Sequence, residues 1–181
     1  MAMFIARCKA KQLTAIKSIL VRMKSVERAI EKYQQSDLRV LVLLRDPRGI
    51  MRSRMAIKDG YNKKYRNEDE ALRIHSEMLC KAMAEDAQIA KEIQKNHPNP
   101  IVVVHYEDIA NYTKTAASYI YRRDSVATAY NWKKSLSFKQ VRLIDEGCKD
   151  YYKYIGYEPV GSQQELSDPN NYHRTTLITL I

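Results

Sequence analysis

The sequence is short of the features that would place it among fibrous, disulfide-built or membrane-embedded proteins. Its 181 residues include five glycines, five prolines and three cysteines. That is too little glycine and proline for a collagen-like repeat. Cys8, Cys80 and Cys148 are too few for a disulfide scaffold and too widely spaced for a zinc pattern. The default expectation for them is three buried thiols, with one bridged pair in an oxidising compartment as the alternative. No apolar run approaches the ~20 residues that span a bilayer. The start, Met1 to Arg7, is too short an apolar stretch for a signal peptide with its cleavage site. Acidic residues are in deficit as well: Asp+Glu 21 against Lys+Arg 31 gives a net charge of +10, which favours a polyanionic partner or a phosphorylated ligand. There is no internal repeat and no low-complexity tract. What is present, 45% hydrophobic and 29% charged residues, is ordinary for one soluble α/β domain.

Apolar residues recur at three- and four-residue steps from Lys11 to Tyr33 (Leu13, Ile16, Leu20, Met23, Ile30), which predicts an amphipathic helix. Leu38 to Leu44 is short and nearly continuous in apolar character, the pattern of a parallel strand covered on both faces. Pro47 ends it. A long helix is expected from about Asn67 to Gln94, with Leu72, Ile74, Met78, Leu79, Met83, Ile89 and Ile93 mostly inward. Ile101 to Val104 is a second buried strand, so a strand, a helical crossover and another strand form a βαβ unit. Asn111 to Thr128 reads as loop with a short helix, and Asn111-Tyr112-Thr113 is a glycosylation sequon that matters only in a secretory setting. Ser137-Phe138-Lys139-Gln140 has the form of a capping box. Val141, Ile144, Cys148, Tyr151 and Ile155 follow on one helical face, and Gly156 is a natural stop. Residues 161–181 form a polar tail.

The chemistry concentrates between Val40 and Arg54. A buried strand delivers Arg45 at its carboxyl end, where open α/β sheets bind ligands. Pro47 suits the first turn of a helix, whose start offers free N–H groups and partial positive charge. Ser53 follows one to two turns later. Guanidinium, hydroxyl and helix start together suit one phosphate, each charge-assisted hydrogen bond contributing ~1.5–3 kcal/mol. The competing reading pairs Arg45 with Asp46 and leaves Ser53 facing water.

Arg45-Asp46-Pro47-Arg48-Gly49-x-x-x-Ser53-Arg54 after an apolar strand resembles the 3′-phosphate-binding motif of sulfotransferases. Further segments fit the Golgi carbohydrate sulfotransferases that act on N-acetylglucosamine, galactose or N-acetylgalactosamine. They are Lys17 to Arg22, Leu79-Cys80-x-x-Met83, Tyr106-Glu107-Asp108-Ile109-Ala110, and Arg123-Asp124-Ser125 leading to Trp132-Lys133-x-x-Leu136-Ser137. Cys148 and Gly156-Tyr157 complete the match, which runs in order over roughly residues 8 to 160. The resemblance implies a P-loop-like sulfotransferase fold, a parallel sheet flanked by helices, in residues 1–160. It implies sulfate transfer from 3′-phosphoadenosine 5′-phosphosulfate to a sugar hydroxyl of a glycan or proteoglycan, in the Golgi lumen, without a metal. Arg45 and Ser53 would hold the donor's 3′-phosphate. Tyr106 would contact the nucleotide, or cap its strand as a core residue, and Arg123 would supply a second cation. Trp132 reads as a packing anchor, and Glu107 and Asp108 as helix-capping or arginine-binding groups rather than a general base.

The sequence departs from the family in one respect that bears on chemistry. The loop that holds the 5′-phosphosulfate, a basic residue followed by Gly and Ser or Thr at a helix start, has no counterpart. None of Gly49, Gly60, Gly147, Gly156 and Gly161 stands in such a context. Such a loop stabilises charge developing on the bridging oxygen. The resemblance therefore implies an incomplete fold, with the first strand, that loop and a membrane anchor missing at the amino terminus. It leaves an apolar edge beside the first strand present. No residue is assigned as the base; His75, His97, His105 and His173 are unplaced. Little or no transferase activity is expected of this chain alone. The alternatives are a nucleotide-binding pseudoenzyme and a basic module for polyanions or nucleic acid. Nucleic acid is not the expected partner, since no aromatic–basic signature of a nucleic-acid fold is present.

Overall fold

The computed structural model describes residues 15–33, 38–57, 67–97, 101–112 and 124–175. In chain order these form α1 (Met23–Lys32), β1 (Val40–Leu44), α2 (Pro47–Ala56), α3 (Glu68–Asn96), β2 (Ile101–His105) and α4 (Tyr106–Tyr112). There follow α5 (Ser125–Tyr130), α6 (Trp132–Ser135), α7 (Phe138–Cys148), α8 (Tyr152–Ile155) and α9 (Gln163–Ser167). The two strands pair in parallel, in a register running from Val40↔Ile101 to Leu44↔His105. The chain is thus α/β, a small parallel sheet flanked by helices, and the crossover expected between its strands is present as α2 and α3.

Local chemistry fixes the helix ends. The Asn67 side chain accepts the Glu70 N–H at 2.7 Å, and Glu68, Asp69 and Glu70 fill the first turn of α3, where negative charge complements the helix dipole. Ser137 and Gln140 exchange both bonds of the capping box that opens α7. Gly156 ends α8 with φ 75°, a left-handed conformation that glycine adopts without a Cβ penalty.

Two clusters make the core. One gathers Met51, Leu72, Trp132, Val141, Ile144, Tyr152 and Ile155 between α2, α3 and the later helices. The other packs Met23, Ile30, Ala90, Ile93 and Ile101 beneath the sheet. α3 serves both, and small residues allow its close approaches: Ala71, Ser76, Cys80, Ala84, Ala87 and Ala90 are all buried. At the α3–α7 crossing, a Cβ on Gly147 would lie 2.6 Å from the Arg73 carbonyl oxygen.

Several sequence expectations are corrected. Of the periodic run, residues 15–22 are not helical and the helix begins at Met23, because the Asp86 carboxylate takes both the Met23 N–H and the Arg22 guanidinium and so fixes its start there. Ile16 and Leu20 are exposed outside that helix, and Leu13 lies outside the described residues. The sheet is covered on one face, not two: Leu41 and Leu43 are 64% and 52% exposed, because α1 and α3 pack only against the Val40 and Val42 side. Met78 points outward from α3, where the smaller alanine and cysteine stripe faces in. Cys80 and Cys148 are joined in a fully buried disulfide, Cα–Cα 5.3 Å, so the expectation of three thiols fails; Cys8 lies outside the described residues. Within the polar segment after Pro159, Val160, Leu166 and His173 are buried, and Arg174 bridges antiparallel to Tyr157. Among the described residues no helix is long and apolar enough to cross a membrane.

Candidate functional site

The carboxyl ends of the two strands carry the candidate site. Leu44 pairs with His105, so Arg45 and Tyr106 leave the sheet side by side. The Arg45 guanidinium carbon lies 4.9 Å from the centre of the Tyr106 ring, within the range of a cation–π contact. Below it runs α2. A Cβ on Gly49 would stand 3.3 Å from Arg45 Nε and 3.5 Å from the nearer terminal nitrogen. The guanidinium therefore rests on the bare backbone of Gly49, with the Tyr106 ring close by. Its Nε is buried and meets no hydrogen-bond partner among the described residues, an unmet donor of the sort that buried polar groups normally satisfy.

Ser53 stands four residues after Gly49 on α2, on the same face one turn along. Its side chain is half-buried there. The structure thus brings Arg45 and Tyr106 together as one ledge over Gly49, with Ser53 one turn further along α2. Arg123 lies outside the described residues.

The reading that pairs Arg45 with Asp46 is not realised. Asp46 caps α2 and binds Arg48 instead: its Oδ1 accepts the Arg48 N–H and the Arg48 Nε, each at 2.9 Å. The backbone at the helix start is correspondingly occupied. Pro47 has no N–H, Arg48 gives its own to the Asp46 side chain, and Ile50 bonds the Asp46 carbonyl. The expected N–H cradle is therefore largely taken by the cap, and side chains carry the site.

Arg48 is fully buried. Its guanidinium carbon lies 4.4 Å from the Trp132 ring centre and 5.6 Å from that of Tyr152. It also stands 3.6 Å from Asp145 Oδ1 and donates to the carbonyls of Glu158 and His173. Burial alone would weaken its charge, but Asp46, Tyr152 and Asp145 outweigh that and raise its pKa. Asp145 in turn accepts the Tyr152 hydroxyl and the Val160 N–H. Trp132 is thus a packing anchor, as its sequence context suggests.

Glu107, also buried, accepts the Asp46 N–H and the Tyr157 hydroxyl, each at 3.0 Å. Burial and then Asp46 push its pKa up. Asp108 pairs with Arg174 at 2.6 Å. Both carboxylates hold structure in place, as their positions at a strand end suggest. His105 Nε2 donates to the Ile155 carbonyl at 2.9 Å, and the ring lies edge-on to Tyr157. His173, with φ 48°, is held near Trp132. Burial lowers the pKa of both. Among the described residues no group of His, Cys, Asp and Glu is arranged to hold a metal.

The role of Gly49 was not foreseen from sequence, although a glycine four residues before a serine on a helix that follows an arginine is a signal that a flat side chain lies there. In the sequence Arg48 stands out only as part of the motif. Nothing local separates the half-buried arginine from the buried one, because the carbonyls that Arg48 meets lie 110 and 125 residues further along the chain.

No protein-family model and no solved structure matches the chain. Curated proteins do. Carbohydrate sulfotransferase 3 of Tetronarce californica is 26% identical over 89% of this chain and 45% of its own length. Carbohydrate sulfotransferase 1 of Mus musculus is 23% identical over 90% and 49%. Human carbohydrate sulfotransferase 3 is 22% identical over 83% and 40%. The chain spans about half the length of the curated relatives it matches. Its resemblance to carbohydrate sulfotransferases, read from scattered motifs, extends across nearly the whole chain.

Proposed function

Starting from that relationship, we propose that this chain is a carbohydrate sulfotransferase part that holds the 3′-phosphate of 3′-phosphoadenosine 5′-phosphosulfate. The fold in this reading is the P-loop-like sulfotransferase fold. Arg45 and Ser53 grip the phosphate, Tyr106 lies against the nucleotide and the Arg45 guanidinium, and Arg123 adds a second cation. The observation that carries the reading is the Arg45 guanidinium resting on Gly49, near Tyr106, with a buried Nε that lacks a partner among the described residues. A phosphate oxygen against the part-exposed guanidinium forms a charge-assisted bond with it. In the transfer, the acceptor oxygen bonds to sulfur as the bond from sulfur to the 5′-phosphate oxygen breaks. The hydroxyl proton passes to solvent, and adenosine 3′,5′-bisphosphate departs with the electron pair of the broken bond.

The acceptor in this reading is a hydroxyl of a glycan or proteoglycan, and the setting is the Golgi lumen. The buried Cys80–Cys148 disulfide supports an oxidising compartment. Among the described residues no Gly-Ser loop follows a strand to hold the transferring sulfate; in this reading the chain binds the donor's 3′ end and transfers little or no sulfate unaided.

Titration with adenosine 3′,5′-bisphosphate tests the reading. Saturable binding with a shallow salt dependence is expected. Equal binding to any polyanion, with affinity falling steeply as salt rises, would contradict it and favour a non-specific basic module.

A further inference from the structure

The two arginines of the Arg45-Asp46-Pro47-Arg48 turn do different work. Arg45 is partly exposed on the ledge, whereas Arg48 has no exposed surface and cannot touch a ligand. We propose that Arg48 is a positioning residue for the donor site: it holds the β1–α2 turn against the carboxyl-terminal helices, and so aims Arg45 at the 3′-phosphate. This rests on the donor-site reading above.

The geometry points that way for three reasons. First, Arg48 touches both sides of the turn. It binds Asp46, the residue that follows Arg45, and its guanidinium lies near the Trp132 and Tyr152 rings. Trp132 also reaches the ledge itself, since its Cδ1 would be 3.5 Å from a Cβ on Gly49. Trp132 thus lies beside Arg48 and near the seat of Arg45. Second, the partners of Arg48 come from distant segments: Asp145 from α7, and the Glu158 and His173 carbonyls from the last stretch. The His173 backbone sits at φ 48°, a left-handed conformation that a non-glycine residue keeps only where its surroundings enforce it. Its carbonyl accepts from Arg48 and from the Glu158 N–H. Third, Asp46 is held from the other strand as well, because its N–H reaches Glu107, the residue after Tyr106. The residue after Arg45 and the residue after Tyr106 are thereby joined, which fixes the pair that makes the ledge.

A lysine keeps the charge but lacks the planar fork that reaches carboxylate and carbonyls together. Arg48→Lys is therefore the informative variant. The readout is the ratio of affinities for adenosine 3′,5′-bisphosphate and adenosine 5′-monophosphate, which isolates the 3′-phosphate. General loosening of the fold lowers both affinities and leaves the ratio unchanged. Arg48→Lys is expected to lower the ratio about tenfold, the loss of roughly one charge-assisted bond. In an Arg45→Ala background the same change is expected to have no further effect, since the group being aimed is gone. Where Arg48→Lys gives no cooperative melt, Asp145→Asn carries the same comparison. An unchanged ratio in a folded Arg48→Lys chain, or an equal drop with Arg45 absent, would overturn the proposal. A ratio near one in the unaltered chain would instead refute the donor site itself, and the proposal with it.

Discussion

Arg45 and Tyr106 are 61 positions apart in sequence, yet the guanidinium of one lies 4.9 Å from the ring centre of the other. The parallel register makes this contact. Leu44 opposite His105 places the next residue of each strand at the same end of the sheet, where α/β folds gather their ligand contacts.

Gly49 is the seat of that guanidinium, and substituting it separates stability from binding. Gly49→Ala adds a good helix former and is expected to raise stability by up to about 1 kcal/mol. Its Cβ, 3.3 Å from Arg45 Nε, displaces the guanidinium by a few tenths of an ångström. Affinity for adenosine 3′,5′-bisphosphate is expected to fall severalfold while the melting temperature holds or rises. Calorimetric titration and a thermal melt of the same sample check both; unchanged affinity would mean that Arg45 does not use this seat.

The Cys80–Cys148 disulfide closes a long loop, its ends 68 residues apart in sequence, and ties α3 to α7 in the main core. Chain-entropy reasoning gives about 4 kcal/mol for a loop of this size. Cys148→Ser, or reduction under mild denaturant, is expected to remove about 2–5 kcal/mol of unfolding free energy. Urea titrations with and without reductant measure it, and coincident curves would contradict it.

Much of this architecture was legible beforehand, and the exceptions share a cause. The two strands, the long helix capped by Asn67 and the Ser137 capping box each announce themselves within a few residues. The strand end at Arg45 and the helix that carries Ser53 were legible too, because strand, turn and helix are fixed locally. The pairing of Asp46 with Arg48 rather than Arg45 was not, since it depends on Trp132, Tyr152 and Asp145 arriving from far along the chain. The open face bearing Leu41 and Leu43 also escaped, because an apolar run gives no sign of which side is covered. On α3 the small residues face inward and Met78 outward, the reverse of what hydrophobicity alone suggests, because close helix approach favours alanine.

His105 and His173 give stability a definite pH dependence. Burial lowers both pKa values below the ordinary 6.5, so the unfolded chain binds protons more readily than the folded one. Their contribution is present in full above pH 6.5 and is lost as pH falls from there toward the depressed folded values. Glu107 and Asp145 are shifted up by burial and act in the opposite sense at lower pH. The comparison with His105→Gln isolates the histidine, because Gln keeps an amide donor for the Ile155 carbonyl without titrating. Unfolding free energies between pH 5 and 7.5 are expected to slope less in that variant. Parallel curves would show that His105 is not buried in its neutral form.

The most direct measurement is isothermal titration of adenosine 3′,5′-bisphosphate into the unaltered chain and into Arg45→Ala. Loss of one or two charge-assisted bonds corresponds to roughly a ten- to hundredfold weakening. That drop, with an unchanged melting temperature, is the expected result. Equal affinities in the two chains would contradict a 3′-phosphate site at Arg45.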